Sequence, residues 1–517
     1  MTKYIWSLFF ILFLKLYLFS WHLAAEFSPV IQTTKGPVKG LVFTTIRESK
    51  KYHSYRGIPY GKSPVGHLRF RAPIEVDPWS KVFDATKDGP NCPQIYNETF
   101  IGQEDCLNLN VYTPQLPKDE NDGNLKAVMY WIFAGALVDG TPSKLYHSPD
   151  YLIEEDIVVV VVNYRLGALG FLALQHQNAT GNAGLKDQNL GLRWVRDNIA
   201  KFGGDPNKVT IAGESSGSLS VGYHILSEKS KGLFRSSIAM SGVPLWSNIP
   251  LRPTLENPNY GPDWFITECS LKKYNSGNYN HGPHMLGYTK DEIITFLRTK
   301  KDIYRCIKLS WQYASKLGVT KLDMPNIEYG ITNATLHQII KTISEVLFIS
   351  PIDYTQKLMS KFDDPIYYYR YNFVYDKPLH KVVLGSNLIG AGHGDDIEMI
   401  FYSDLFQVNP KANNSMTLLQ RRMTRLWTNF IKYGNPTPDG INDTLLNIVW
   451  PDSRKSGKML WLNDNLEVHD RFKSNDITMI ETGLQLSGGP INGCDIKTTI
   501  HSPNTSEDDL NNSDDLQ

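Results

Sequence analysis

Val209–Thr210–Ile211–Ala212–Gly213–Glu214–Ser215–Ser216–Gly217 decides how the rest of the chain is read. Its first four residues are an apolar β-type run. Its last five fit G-x-S-x-G, and residues 215–226 then read as a helix. A strand entering a helix through a turn this tight needs glycine on either side, because side chains beside the turn would collide. The serine is thereby lifted above a sheet edge at a helix N-terminus, where free N–H groups favour developing negative charge. Two readings fit the segment alone. Ser215 is a nucleophile on a strand-to-helix elbow, or it merely caps the helix with its hydroxyl.

Working outward, short apolar runs alternate with amphipathic stretches from residue 127 onward. Ala127–Phe133 and Ile157–Val162 are continuous apolar runs, as expected of strands buried on both faces. Leu192, Val195, Ile199 and Phe202 recur at helical spacing, and Gly203–Gly204 ends that helix. Ser236–Met240, Met285–Tyr288 and Ile366–Tyr371 read as further strands, and Thr335–Phe348 and Met416–Lys432 as later helices. Such succession predicts an α/β fold with a mainly parallel central sheet covered by helices on both faces. There is no internal repeat and no linker that would split the body.

A serine hydroxyl attacks only when a base removes its proton and a third group holds that base. In hydrolases built on such an elbow the chain order is serine, acid, histidine. Asp291–Glu292 follows directly on the strand expected at Met285–Tyr288, where a carboxylate would point into a site at the strand's carboxyl end. His393 lies in the glycine-rich loop Gly390–Ala391–Gly392–His393–Gly394–Asp395–Asp396. A rival reading makes His393, Asp395 and Asp396 metal ligands, but no second histidine stands at a helical or hairpin spacing to join them. No metal or other cofactor is expected.

Composition narrows the partners. The 517 residues carry 53 basic and 53 acidic side chains, which argues against nucleic acid, whose binding draws on clustered positive charge. Five cysteines exclude a disulfide scaffold, and the odd number leaves at least one thiol without an intrachain partner. Residues 1–25 read as a secretory signal peptide: Lys3, an apolar run from Tyr4 to Leu23, then Ala24–Ala25 before Glu26. The alternative is an uncleaved anchor helix, against which Lys15 in mid-run and the alanine pair both count. No later stretch has the length of a membrane span, so no stable membrane anchor is expected. Sequons begin at Asn97, Asn178, Asn333, Asn413, Asn442, Asn504 and Asn511, in keeping with a glycosylated extracellular protein. The body is expected over residues 26–500, with an acidic disordered tail at 501–517.

Longer motifs carry a resemblance. Tyr55–Arg56–Gly57–Ile58–Pro59–Tyr60, Pro64–Val65–Gly66 with Leu68–Arg69–Phe70, and Glu104–Asp105–Cys106–Leu107 occur in the first quarter of the chain. Asn163–Tyr164–Arg165–Leu166–Gly167, Gly184–Leu185–Lys186–Asp187–Gln188 and the run from Phe202 through Gly217 follow. From about Glu26 to about Leu462 the chain resembles the type-B carboxylesterase/cholinesterase family of α/β-hydrolases, most like secreted insect-type carboxylesterases. The resemblance implies Ser215 as nucleophile, His393 as general base and Glu292 as the acid that orients it. It also implies backbone donors to an oxyanion from Gly135, Ala136 and Ser216, and a disulfide between Cys92 and Cys106. A loop of that size contributes about 3 kcal/mol on a chain-entropy account. Cys269, Cys306 and Cys494 receive no partner from it.

Three departures from the family pattern matter. The oxyanion loop reads Trp131–Ile132–Phe133–Ala134–Gly135–Ala136–Leu137, with alanines where the family usually has glycines. A φ above zero at Ala134 or Ala136 would cost about 1–2 kcal/mol, and a misaimed donor about a hundredfold in rate. Next, the chain runs from Leu245–Trp246 almost directly to Arg252–Pro253–Thr254–Leu255–Glu256, so part of the cap and the family's second disulfide are expected to be missing. The pocket should then be unusually open and apolar surface exposed. Finally, no tryptophan lies between Cys92 and Cys106, which argues against choline esters, whose cation seeks an aromatic face. Glu214 differs from the glutamine usual before the serine in juvenile hormone esterases.

The expected activity is therefore hydrolysis of uncharged carboxylic esters through an acyl-enzyme, with a small-molecule ester as partner. The alternatives are a weak or inactive binding homologue, favoured by the oxyanion loop, and a non-functional product of a shortened transcript.

Overall fold

Five consecutive valines, Val158–Val162, form a strand with no solvent exposure on either face. β-branched side chains suit a pleated surface packed on both sides, and this strand has that setting. The computed structural model describes residues 25–487 except 97, 120–122, 247–252, 328–329, 407–408 and 442. The acidic tail and nearly all of the signal segment lie outside the described residues. So do Arg252, Cys494 and the sequons at Asn97, Asn442, Asn504 and Asn511.

The strands are β1 (Phe27–Gln32), β2 (Pro37–Thr44), β3 (Lys51–Pro59), β4 (Phe83–Asp84), β5 (Gln94–Tyr96), β6 (Thr99–Ile101), β7 (Asn108–Thr113) and β8 (Lys126–Ile132). They continue as β9 (Val158–Val162), β10 (Gly204–Glu214), β11 (Ser236–Met240), β12 (His284–Thr289), β13 (Ile366–Tyr371), β14 (Met459–Leu462) and β15 (Leu466–His469). All but β5 and β6 join one sheet in the order β1-β2-β3-β7-β9-β8-β10-β11-β12-β13-β14-β15, with β4 beside β2. From β9 to β14 every neighbouring pair is parallel. The flanks are antiparallel, apart from β4, which runs parallel to β2. The six strands expected from the sequence are present. The structure adds the antiparallel N-terminal flank and the C-terminal pair.

Helices named below are α1 (Ala183–Asn198), α2 (Ser216–Leu226), α3 (Lys300–Lys316), α4 (Asn333–Ser344), α5 (Ser350–Met359) and α6 (Ser415–Tyr433). The helix read from Leu192 onward begins earlier, at Ala183, and its last turn, Ile199–Phe202, tightens to a 3-10 helix before Gly203. The helix expected over Thr335–Phe348 is α4, which passes through a π-helical turn at Glu345–Ile349 into α5. No helix among the described residues is long and apolar enough to cross a membrane.

This topology sets the site. The segments after β8, β10 and β12 and the loop following β13 all emerge at the carboxyl ends of parallel strands. That end of an open α/β sheet, where connections leave in opposite directions, forms a crevice.

Candidate active site

The elbow is built from backbone contact. A Cβ on Gly217 would stand 2.1 Å from the Ile132 carbonyl oxygen. On Gly213 it would stand 2.5 Å from the Gly217 carbonyl carbon. β10 and α2 thus approach β8 closely enough to exclude any side chain at those two positions. Between them Ser215 takes φ 55° and ψ −120°, a strained conformation for a residue with a Cβ. Its amide donates to the Met240 carbonyl at 2.9 Å, tying the turn to β11. The Ser215 hydroxyl makes no capping hydrogen bond to the helix, so the capping alternative does not describe it.

His393 and Glu292 meet behind the serine. The imidazole Nδ1 lies 2.5 Å from one Glu292 carboxylate oxygen. The other oxygen accepts from the Ser241 hydroxyl at 2.7 Å and the Thr289 amide at 2.8 Å. Glu292 has no solvent exposure, and partners on both of its carboxylate oxygens fix it from two sides. Asp291, the neighbouring candidate, instead accepts from the Ala391 amide and braces the histidine loop. Thr295 donates to the His393 carbonyl, and the rings of Phe348, Phe296 and Trp246 surround the imidazole at 5.0, 5.4 and 6.3 Å.

The two aspartates offered as metal ligands have other partners. Asp395 accepts from the His380 ring at 2.7 Å and from the Gly392 amide at 2.6 Å. Asp396 accepts from the Tyr369 hydroxyl at 2.9 Å. Both clamp the loop carrying His393.

Sequence reasoning missed Glu214 as part of the electrostatics. Its Oε1 stands 3.2 Å from His393 Nε2, outside hydrogen-bond geometry. Burial works against a charged imidazole, but Glu214 and Glu292 outweigh it and bring His393 up to about 9. Glu214 itself is pushed up to about 8 by burial, with the His393 charge offsetting part of that effect. Each group therefore holds its proton to a higher pH than the free side chain would. Ser241 was missed as well; it holds φ 56° without being glycine, and only the folded geometry reveals that it faces Glu292.

The loop after β8 has the strain anticipated from its alanines, at one position. Ala136 sits at φ 52° and Leu137 at φ 64°, whereas Ala134 has no positive φ. Gly135, at φ 119°, could not carry a Cβ, which would stand 2.1 Å from the Asp139 carbonyl oxygen. The Val138 and Asp139 amides both donate to the Gly135 carbonyl, so the turn is closed on itself. Among the described residues the Gly135 and Ala136 amides donate to nothing, and Ser216 opens α2, where an amide has no intrahelical acceptor.

Cys92 and Cys106 are bonded, and their loop contains the β5–β6 hairpin. The Gln94 side chain exchanges two hydrogen bonds with the Gly140 backbone, at 2.8 and 2.9 Å, docking this loop on the segment after β8. Cys269, to which the resemblance assigned no partner, is also disulfide-bonded, while Cys306 is a free buried thiol. All these segments border one cavity of about 760 Å³, lined by Ser215, His393, Gly135 and Ala136 together with apolar side chains. Phe296, on its wall, is 43% exposed, but Leu245 and Trp246 at the shortened cap stay buried.

Known proteins place the chain. The profile of the carboxylesterase family matches residues 27–249 and again 247–480, and the two matches meet where the sequence jumps past the expected cap segment. The chain is 30% identical to a juvenile hormone esterase of Tribolium castaneum over 541 aligned positions, covering 86% of this chain and 91% of that one. Over 219 residues it is 43% identical to Esterase B1 of Culex pipiens, 42% of this chain and 40% of the other. The crystal structure of juvenile hormone esterase from Manduca sexta, with OTFP covalently attached, superposes with a TM-score of 0.74 at 24% identity. It covers 89% of this chain and 99% of that one, and shares the α/β-hydrolase fold. The chain belongs to the carboxylesterase family of carboxylic ester hydrolases.

Proposed function

We propose that the protein is a secreted serine esterase that cleaves carboxylic esters through an acyl-enzyme. The observation that carries this reading is the chain of contacts from Ser241 and Thr289 through Glu292 to His393 Nδ1. It fixes the imidazole at the wall of the cavity that Ser215 also lines. Ser215 Oγ attacks the ester carbonyl carbon while His393 Nε2 takes the hydroxyl proton. The carbonyl oxygen becomes an oxyanion held by the Gly135, Ala136 and Ser216 amides. His393 then gives its proton to the departing alcohol oxygen as the C–O bond breaks. Water repeats the sequence on the acyl-enzyme, releasing the acid and restoring Ser215.

Secretion and glycosylation are supported by the signal-like start and by the Cys92–Cys106 bond, a feature of oxidising compartments. The described sequons Asn178, Asn333 and Asn413 are all exposed.

The test is Ser215→Ala in the purified protein. Hydrolysis of short aryl acetates is expected to fall by about 10⁴-fold or more, with loss of organophosphate labelling. Cleavage at an undiminished rate overturns the proposal, whereas a folded native protein that turns over no ester favours the binding-homologue reading.

A further inference from the structure

The cavity wall is not uniform in charge. At its inner end Glu214 lines the wall beside His393, and behind the wall Glu292 holds the imidazole's other nitrogen, with Asp395 and Asp396 buried just past Gly394. Where the cavity meets solvent it is lined by two arginines, Arg298 and Arg305, both exposed. Residues 298–308 contain five basic side chains and one acid, in a chain whose total charge is zero.

The single acid is already committed. Asp302 closes the N-terminal cap of α3, accepting from the Thr299 amide at 2.8 Å and the Thr299 hydroxyl at 2.9 Å. Among the described residues neither the Arg298 nor the Arg305 guanidinium has an ion pair or hydrogen bond. By contrast Arg47, Arg165, Arg425 and Arg471 are all paired with carboxylates. Two open guanidinium forks therefore stand at the rim of a mainly apolar cavity whose inner end carries the Glu214 carboxyl group.

We propose that the esterase is built for esters that carry a carboxylate at the far end of an apolar chain, with Arg298 and Arg305 binding that carboxylate at the rim. This rests on the catalytic reading of Ser215 and names its substrate class, which departs from the uncharged esters expected from sequence. The planar fork of arginine matches a carboxylate through two parallel N–H donors. Charge order then sets orientation: the neutral ester group enters toward Ser215, and the anion stays outside among the arginines. A cationic ester would meet the reverse pattern, repelled at the entrance.

The experiment compares p-nitrophenyl monoesters of straight-chain dicarboxylic acids, over increasing length, with uncharged p-nitrophenyl acyl esters of matched length. At one length the kcat/KM ratio of acid monoester to uncharged ester is expected to exceed one by about fivefold at low salt, as two exposed charge-assisted contacts allow. It should decline toward one in about 0.5 M sodium chloride, where the Debye length is only a few ångströms. In Arg298→Gln/Arg305→Gln the ratio should fall to one or below, and in Arg298→Glu/Arg305→Glu lower still. A native protein that disfavours the acid monoester at every length, or a ratio unmoved by both double substitutions, overturns the proposal. Dissociation constants of the matched unreactive monoamides, measured by calorimetry, should follow the same order. They separate failure here from failure of the catalytic reading, which would instead show as no turnover of any ester.

Discussion

The serine elbow and the loop after β8 both force residues with side chains to positive φ, and they do so differently. At the elbow the flanking glycines are wedged against the backbone of β8, so Ser215 is held by three strands at once. The loop after β8 closes mostly on itself, through Gly135, and is tied from outside by Gln94, by the Tyr164 hydroxyl on the Phe133 carbonyl and by the Gly167 amide on the Leu137 carbonyl. One turn is fixed by sheet packing and the other by a few hydrogen bonds. Sheet packing leaves no room for substitution. A hydrogen-bonded loop accepts an alanine at φ 52° for a modest strain.

The sharpest break of that contrast is Gly217→Ala. Its new methyl must displace the Ile132 carbonyl or shift α2, moving Ser215 with it. We expect kcat/KM for aryl acetates to fall about 10³-fold, since misplacement by an ångström and a misaimed Ser216 amide add together. Denaturation in urea should show a loss of about 1–3 kcal/mol from overpacking. Gly135→Ala comes next. Its methyl collides with the Asp139 carbonyl, within the loop itself, so kcat should drop about a hundredfold while urea stability changes by less than about 1 kcal/mol. Equal stability losses in the two variants would erase the distinction between packed and hydrogen-bonded turns.

Glu214→Gln probes the elbow's charge rather than its shape. In the proposed mechanism His393 must be unprotonated to accept the Ser215 proton, so activity rises as the imidazole loses its proton. His393 is held up to about 9 by carboxylates, with Glu214 the foremost among them. Removing that charge makes the imidazolium less favourable, so the proton leaves at lower pH. The acid limb of the kcat/KM profile should therefore shift down by about one pH unit, a change of up to about tenfold on the limb. A limb that stays in place, or moves up, would show that the 3.2 Å approach to Nε2 does not govern the base.

How far the sequence could foresee this site follows from the kind of constraint each part obeys. β9, β12 and the Val209–Glu214 part of β10 are buried on both faces, so their apolar runs were visible without any partner. The elbow was legible because only glycine fits its flanks. The N-terminal strands β1 and β2 mix buried and exposed positions irregularly, and no periodicity marked them. Helix α3 buries Ile303, Cys306, Ser310, Tyr313 and Ala314 at helical spacing, but polar and small members of that face concealed it. The continuation from α4 into α5 was hidden because Pro351 reads as a stop; the π turn supplies the room, and the proline falls in the first turn after it. Glu214 and Ser241 owe their importance to distances from residues far along the chain, which no local pattern encodes.

The smallest effect tests the loop's alanine directly. If the methyl of Ala136 misaimed the amide, Ala136→Gly would raise kcat by tenfold or more. The backbone argues otherwise. Ala136 already occupies the left-handed region that a glycine would choose, with its neighbours Gly135 and Leu137 also at positive φ. The cost of the alanine is then strain in the folded state, not a lost donor. Relief of about 1–2 kcal/mol is partly offset by the greater freedom of glycine in the unfolded chain, about 0.4–1 kcal/mol. We expect kcat to change less than about threefold and the urea midpoint to rise slightly, by a net gain of about 1 kcal/mol or less. A tenfold gain in rate without a gain in stability would reverse the assignment and make this loop, not the elbow, the limiting part of the catalytic machinery.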